Sequence, residues 1–346
     1  MKGLIWWENI INAKIFIDSV VEAVSNCESV VMCLPKDIPW EATMREILMS
    51  KIREIAHDKS ITELTGLDEP VADYLFRTCC KEDLRVRHRG SVPYAEFMAQ
   101  KEESTIHSKI IWAKDVAEDK VTEWVDFMSI YNQKLARGIS PGIIIIEVRG
   151  YDFSFVGSKN VKFVSYNDIV TDYDIYTFAT LLSAEAKCKT SLRQYLADLA
   201  AQVCGNDVEL VAECIIKWND FLKNPQDTVE KICKKSIRHN GENFCCYLTK
   251  EEMNRRIWTA QVRNIFPNLE NYRISFIEKY TDDIKKLYTG NEAIELGKLY
   301  YYVMNRQLIV STEEKDTLEV YKEARNKIAH LGIISFDNIK MILVSN

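Results

Sequence analysis

The chain has 346 residues, 47% of them hydrophobic and 28% charged, with a formal net charge of −6. The length suits two domains, the apolar share excludes a disordered or collagen-like chain, and the acidic balance excludes a protein that coats nucleic acid through bulk charge. No apolar stretch reaches the ~18 residues of a spanning helix, so no membrane partner is expected. The start, Met1-Lys2-Gly3-Leu4-Ile5-Trp6-Trp7-Glu8, carries an acid where a secretion signal runs apolar, and a cytoplasmic protein is expected.

Residues 12–26 place apolar side chains at helical spacing. Ser29 to Leu34 is a short run of β-formers closed by Pro35, and Pro39 and Trp40 open a helix to about Ala56. A second apolar run, Ile106 to Ala113, precedes a helix from about Val121 to Leu135. Gly142 then leads into Ile143 to Val148, which contains four consecutive isoleucines. Val161 to Val164 reads as a further strand and Asp174 to Ala186 as a helix. Continuous apolar runs are what strands buried on both faces require, and helices between them imply a parallel sheet with crossover connections.

From about residue 190 the period becomes helical throughout. Ser191–Val203, Asp207–Leu222 and Asp227–Lys235 read as amphipathic helices, punctuated by Gly205-Asn206 and Asn224-Pro225. Arg238 to Tyr247 reads as irregular. Thr249, with Glu252 three residues on, forms a capping box. Helices over about 250–264, 268–287, 291–306, 312–331 and 336–344 follow. The expected division is an α/β domain over 1–187, a helical connector over 188–248 and a helical domain over 249–346.

The ten cysteines include no CxxC pair, and reduced thiols are expected. Cys233, His239, Cys245 and Cys246 match no compact zinc spacing, so no metal is expected. Charge is uneven. Residues 1–185 hold 21 basic and 29 acidic side chains, a net of −8, and the remainder holds 24 and 22, a net of +2. An anionic partner therefore belongs to the second half. Residues 231–263 carry a net of +5, and Lys234, Lys235, Arg238, Arg255 and Arg256 are candidate RNA contacts. Phe244, Tyr247 and Trp258 interleave with them as base stacking requires; a solvated helix face over core aromatics is the other reading. Arg85, Arg87 and Arg89 alternate, which puts them on one face of an extended segment, or in a solvated loop. Tyr300-Tyr301-Tyr302 reads as a helix packing surface.

The sharpest constellation is Ala324-Arg325-Asn326-Lys327-Ile328-Ala329-His330-Leu331-Gly332. On a helix, Asn326 and His330 stand one above the other, with Arg325 at the edge of that face. Gly332 suits a helix terminator, so His330 falls in the last turn, where the helix dipole favours its protonated form. An imidazole that takes and gives a proton near neutrality, beside the fixed donor fork of arginine, suits phosphodiester cleavage.

Roughly residues 250–346 resemble the HEPN superfamily, all-helical domains whose hallmark is Arg, four residues, then His. The resemblance implies a metal-independent endoribonuclease of prokaryotic antiviral defence or a toxin-type system, with no cofactor. It implies a homodimer in which two Arg–His motifs meet in a composite cleft. His330 would handle the proton of the 2′-hydroxyl or of the leaving oxygen, and Arg325 would stabilise the charged transition state. Asn326 would orient the phosphate or His330, and Glu295 or Glu292 would assist; the product would be a 2′,3′-cyclic phosphate. Non-catalytic scaffolds occur in the same superfamily, and there Arg325 would pair with a neighbouring acid.

The first half resembles P-loop ATPases, including degenerate sensor domains of defence proteins, with Ile143 to Glu147 in the place of their acidic strand. The loop after the first strand, Leu34-Pro35-Lys36-Asp37-Ile38-Pro39-Trp40, departs from that pattern. It has no glycine, its two prolines remove donors, and no hydroxyl follows Lys36. Gly157-Ser158-Lys159 lies elsewhere. The expected role is therefore sensing or docking a protein partner, with no bound nucleotide. Three functions follow: a dimeric endoribonuclease, a non-catalytic dimerisation and partner-docking protein, and a nucleotide-dependent switch.

Overall fold

The computed structural model describes residues 1–150, 160–245, 248–290 and 293–344. The chain divides into two compact units, Met1–Asp174 and Ile175–Asn346. The division falls within the helix Asp172–Ser183, ahead of the position near 187 that the change of period suggests. Among the described residues, no helix is long and apolar enough to cross a membrane.

The first unit is built on five strands: β1 (Ser29–Leu34), β2 (Ser60–Thr65), β3 (Lys109–Val116), β4 (Ile143–Arg149) and β5 (Val161–Ser165). They form one parallel sheet in the order β2-β3-β4-β1-β5. Val31 sits opposite Ile146 on one side and Phe163 on the other. Strand alternation divides the apolar residues between the faces. Val31, Ile111, Ile144 and Ile146 pack with Leu75, Met98, Trp124 and Met128 from the helices Val71–Cys79, Tyr94–Gln100 and Glu118–Lys134. On β1, Val30 and Met32 are buried on the opposite face. The helix Ile11–Ser25 packs against β1, β5 and the helix Glu41–Ile55.

β2 is the strand that periodicity does not reveal. Ser60-Ile61-Thr62-Glu63-Leu64-Thr65 has no continuous apolar run because it lies at the sheet edge, half exposed along its length. Its pairing partners on β3 supply the order that its own sequence lacks. Arg85, Arg87 and Arg89 are not an extended ladder. Glu82–Arg85 is a helical turn, with Arg85 N donating to Lys81 O and Val86 N to Glu82 O. Gly157, Ser158 and Lys159 lie outside the described residues.

The second unit is helical. It runs through Thr190–Cys204, Val208–Ile216, Trp218–Lys223, Pro225–Lys235, Lys250–Lys279, Thr281–Leu287, Leu296–Met304, Thr312–Ala329 and Phe336–Val344. Thr249 caps Lys250–Lys279, its Oγ1 accepting from Glu252 N at 3.1 Å. That helix continues through Pro267, where a break is expected. Ile265 and Leu269 are fully buried on either side, so packing of the apolar face holds the helix together across the missing donor. The amides of Asn264 and Asn268 donate to the carbonyls of Ala260 and Asn264 in the preceding turn.

Candidate functional site

Arg325, Asn326 and His330 owe their position to the apolar residues of their own helix. Ser311 caps Thr312–Ala329, its Oγ accepting from Glu314 N at 3.2 Å. Leu318, Tyr321, Ala324 and Ile328 are buried, and this stripe turns Asn326 and His330 outward to solvent. Arg325 lies at the margin, half-buried, with its Nη2 2.8 Å from Glu295 Oε2. The structure thus brings Arg325 and Glu295 together across two helices. Glu292 lies outside the described residues.

The helix ends in a Schellman arrangement. Leu331 N donates to Ile328 O at 3.2 Å and Gly332 N to Lys327 O at 2.7 Å. The left-handed residue is Leu331, with φ of 57°, and not Gly332. Gly332 answers a different demand: a Cβ there would lie 3.1 Å from Lys327 O. Two side chains of Lys250–Lys279 hold this end from outside. Trp258 Nε1 donates to Ile328 O at 2.9 Å. The buried Gln261 donates to Ile334 O at 3.0 Å and accepts from Ile334 N at 2.8 Å.

The basic region resolves into structural and exposed parts. Arg238 is engaged in a bidentate pair with Asp207 and lies over the Phe244 ring, with its side chain only 8% exposed. Arg256 bonds Glu252 and the carbonyls of Gln202 and Val203 at the end of Thr190–Cys204. Both guanidiniums are thus engaged within the fold, where the sequence suggested RNA contacts. Phe244 is buried and Trp258 serves the helix end; Tyr247 and Cys246 lie outside the described residues. Lys234, Lys235 and Arg255 are exposed, with Lys234 3.8 Å from Glu230 and Arg255 3.0 Å from Glu252.

A second polar cluster lies at the carboxyl ends of the strands. Glu147, fully buried, accepts from Trp112 Nε1 at 2.8 Å and from Arg45 Nε at 3.1 Å. Arg45 Nη2 also contacts Glu147, Glu41 at 2.5 Å and Asp115 at 3.1 Å. Arg149 pairs with Asp115 through Nε at 2.6 Å, with Glu41, and with the carbonyl of Lys36 at 3.3 Å. Burial raises the Glu147 carboxyl, against the pull of Arg45. At Asp115 burial works the same way, but Arg149 and Arg45 outweigh it and hold the carboxyl below its ordinary value.

Sequence reasoning reached Glu147 and missed its partners. The signals were present. Glu41 and Arg45 stand at i,i+4 on one helix, and Glu147 and Arg149 share one face of β4. Asp115 sits at a register shift between Ala113 and Val116, with φ of 51°, which re-aims its side chain. Among the described residues, Glu41, Asp115 and Glu147 form the group able to ligate a cation, their oxygens within 4.8 Å of one another. Two guanidiniums already counter these three carboxylates. A cation would have to displace Arg45 and Arg149.

A scan against protein-family models finds no match to this chain, and a search of curated proteins finds none either.

Proposed function

We propose that the chain is a metal-independent endoribonuclease whose catalytic part is a HEPN-like second unit, working as a homodimer in prokaryotic antiviral defence or a toxin-type system. One observation carries the reading: Asn326 and His330 are exposed together on the last turn of a helix, with Arg325 at their margin. His330 takes the proton of the 2′-hydroxyl as that oxygen attacks phosphorus. The same proton is delivered to the departing 5′-oxygen, leaving a 2′,3′-cyclic phosphate. Arg325 faces the charge that builds on the phosphoryl oxygens, and Asn326 orients the phosphate. Glu295 holds the guanidinium in place until phosphate arrives.

The first unit supplies sensing or docking. Arg45 and Arg149 fill the carboxyl edge of the sheet, where a nucleotide of a parallel α/β fold would sit, which argues for a protein partner there. The test is RNA cleavage in EDTA. Wild-type protein should cut, and His330→Ala should slow cutting by about 10² or more while leaving the circular dichroism spectrum unchanged. Equal rates for the two proteins overturn the reading.

The ion pair between Arg325 and Glu295 also favours a second reading, a non-catalytic assembly protein in which Arg325 serves the fold. There, Glu295→Gln should lower the thermal midpoint, and neither wild type nor His330→Ala should cut RNA.

A further inference from the structure

A cavity of about 260 Å³ opens in the second unit beside the motif helix. Lys327, between Arg325 and His330 in sequence, lines it together with Lys223 and Asn254. The Ile257, Phe336 and Ile339 side chains are also part of its wall. Several cations of this unit are paired: Arg238, Arg256, Arg263, Arg273, Lys279 and Arg325 each have an acid within reach. Among the described residues, the side chains of Lys223, Lys327 and Asn254 have no hydrogen-bond or ion-pair partner. Two ammonium-bearing side chains and a carboxamide without such partners thus line one cavity together with apolar residues.

The backbone adds charge of the same sign. The helices Pro225–Lys235 and Phe336–Val344 both begin at the wall, which includes Pro225, Gln226 and Phe336. Helix starts carry partial positive charge and favour anions. The acids of those first turns, Asp227 and Asp337, are not part of the wall, and Asp227 pairs with Lys231 at 2.6 Å. The cavity therefore offers cationic groups for an anion, a half-buried aromatic ring for a flat group, and an amide that both donates and accepts. Its volume lies just under the roughly 300–1,000 Å³ of sites for drug-sized ligands, which suits one nucleotide and not two.

We propose that this cavity seats one nucleotide of the RNA strand next to the linkage that the Arg325–His330 motif cuts. The base lies against Phe336 and hydrogen-bonds Asn254, and the phosphate is gripped by Lys223 and Lys327. The assignment rests on the nuclease reading and deepens it: the base that fits here sets where the strand is cut.

Two measurements separate this seat from the nuclease reading. The first titrates adenosine 5′-monophosphate and inorganic phosphate into the full-length protein by calorimetry. The nucleotide should bind more tightly than phosphate, and Lys223→Gln or Lys327→Gln should weaken it about tenfold. Phosphate binding as well as the nucleotide, or variants binding as well as wild type, overturns the seat. The second uses a 2′-O-methyl RNA oligonucleotide, which cannot be cut, in fluorescence anisotropy. Asn254→Ala should alter preference among oligonucleotides of different base, and Lys223→Gln should reduce the slope of log affinity against log salt by about 1. Unchanged preference and slope, with cleavage still abolished by His330→Ala, overturns the seat and leaves the nuclease standing. Nucleotide binding at this cavity in a protein that cuts no RNA overturns the nuclease and, with it, the placing of the seat beside a scissile linkage.

Discussion

Burial favours the neutral form of His107, which sits within a chain of hydrogen bonds. Gly142 N donates to Tyr131 Oη at 2.9 Å, Tyr131 bonds His107 Nδ1 at 2.8 Å, and His107 Nε2 faces Lys101 O at 3.0 Å. With Nε2 donating to the carbonyl, the neutral ring accepts from the tyrosine at Nδ1. Burial lowers the imidazole pKa as the largest cause. The unfolded chain then takes up the proton more readily, so stability should fall as pH drops below about 6.5. Urea midpoints at pH 8 and pH 5.5 should differ in wild type, and His107→Gln should flatten the difference. Gly142 belongs to the same knot, since a Cβ there would stand 2.0 Å from the carbonyl of Ile106. Leu331 shows the limit of residue-level reading. Gly332 looks like the helix stop, yet the left-handed position falls one residue earlier, on a leucine 71% exposed. Leu331→Gly should relieve about 1 kcal/mol of backbone strain and raise the thermal midpoint.

Among the elements, those with continuous apolar runs or strong caps were legible, and those stabilised by neighbours were not. The expected strands at Ser29–Leu34 and Val161–Val164 lie within a residue of β1 and β5, and the cap at Thr249 forms. β2 lacked a pattern because an edge strand needs little apolar surface. The helix through Pro267 overrode a strong local break signal because Ile265 and Leu269 are buried. Pro267→Ala should stabilise this helix by roughly 1–3 kcal/mol, because it restores a donor to the carbonyl of Arg263 and removes the ring from the helix interior. Thermal unfolding checks it. At the sheet edge, Arg45→Met strips the partner from a fully buried carboxylate and should destabilise the protein by roughly 3–5 kcal/mol. Adding Glu147→Leu should recover much of the loss; two variants whose effects simply add would show that the pair does not couple.

For the whole molecule, the acidic first half and weakly basic second half were plain in the sequence, but the strand order was not. Placing β4 between β1 and β3 joins segments that no local pattern links, and only the fold sets Arg45, Asp115 and Arg149 around Glu147. The same applies to the basic region, where a run of cations on paper separates into inner and outer sets. On the proposed nuclease reading, Lys234→Glu with Lys235→Glu should weaken RNA binding for all sequences alike and lower the salt slope by about 2. Arg238→Ala should instead lower the unfolding midpoint, because it leaves Asp207 unpaired.

The final turn of a helix ordinarily frays, and its amide hydrogens exchange early. Here an indole and a carboxamide from another helix clasp the stretch from Ile328 to Ile334. The amides around His330 should therefore exchange as slowly as those in mid-helix, and Trp258→Phe should release them while the rest of the unit keeps its protection. The turn that carries the imidazole is thus anchored, at Ile328, from a position 70 residues away in the chain.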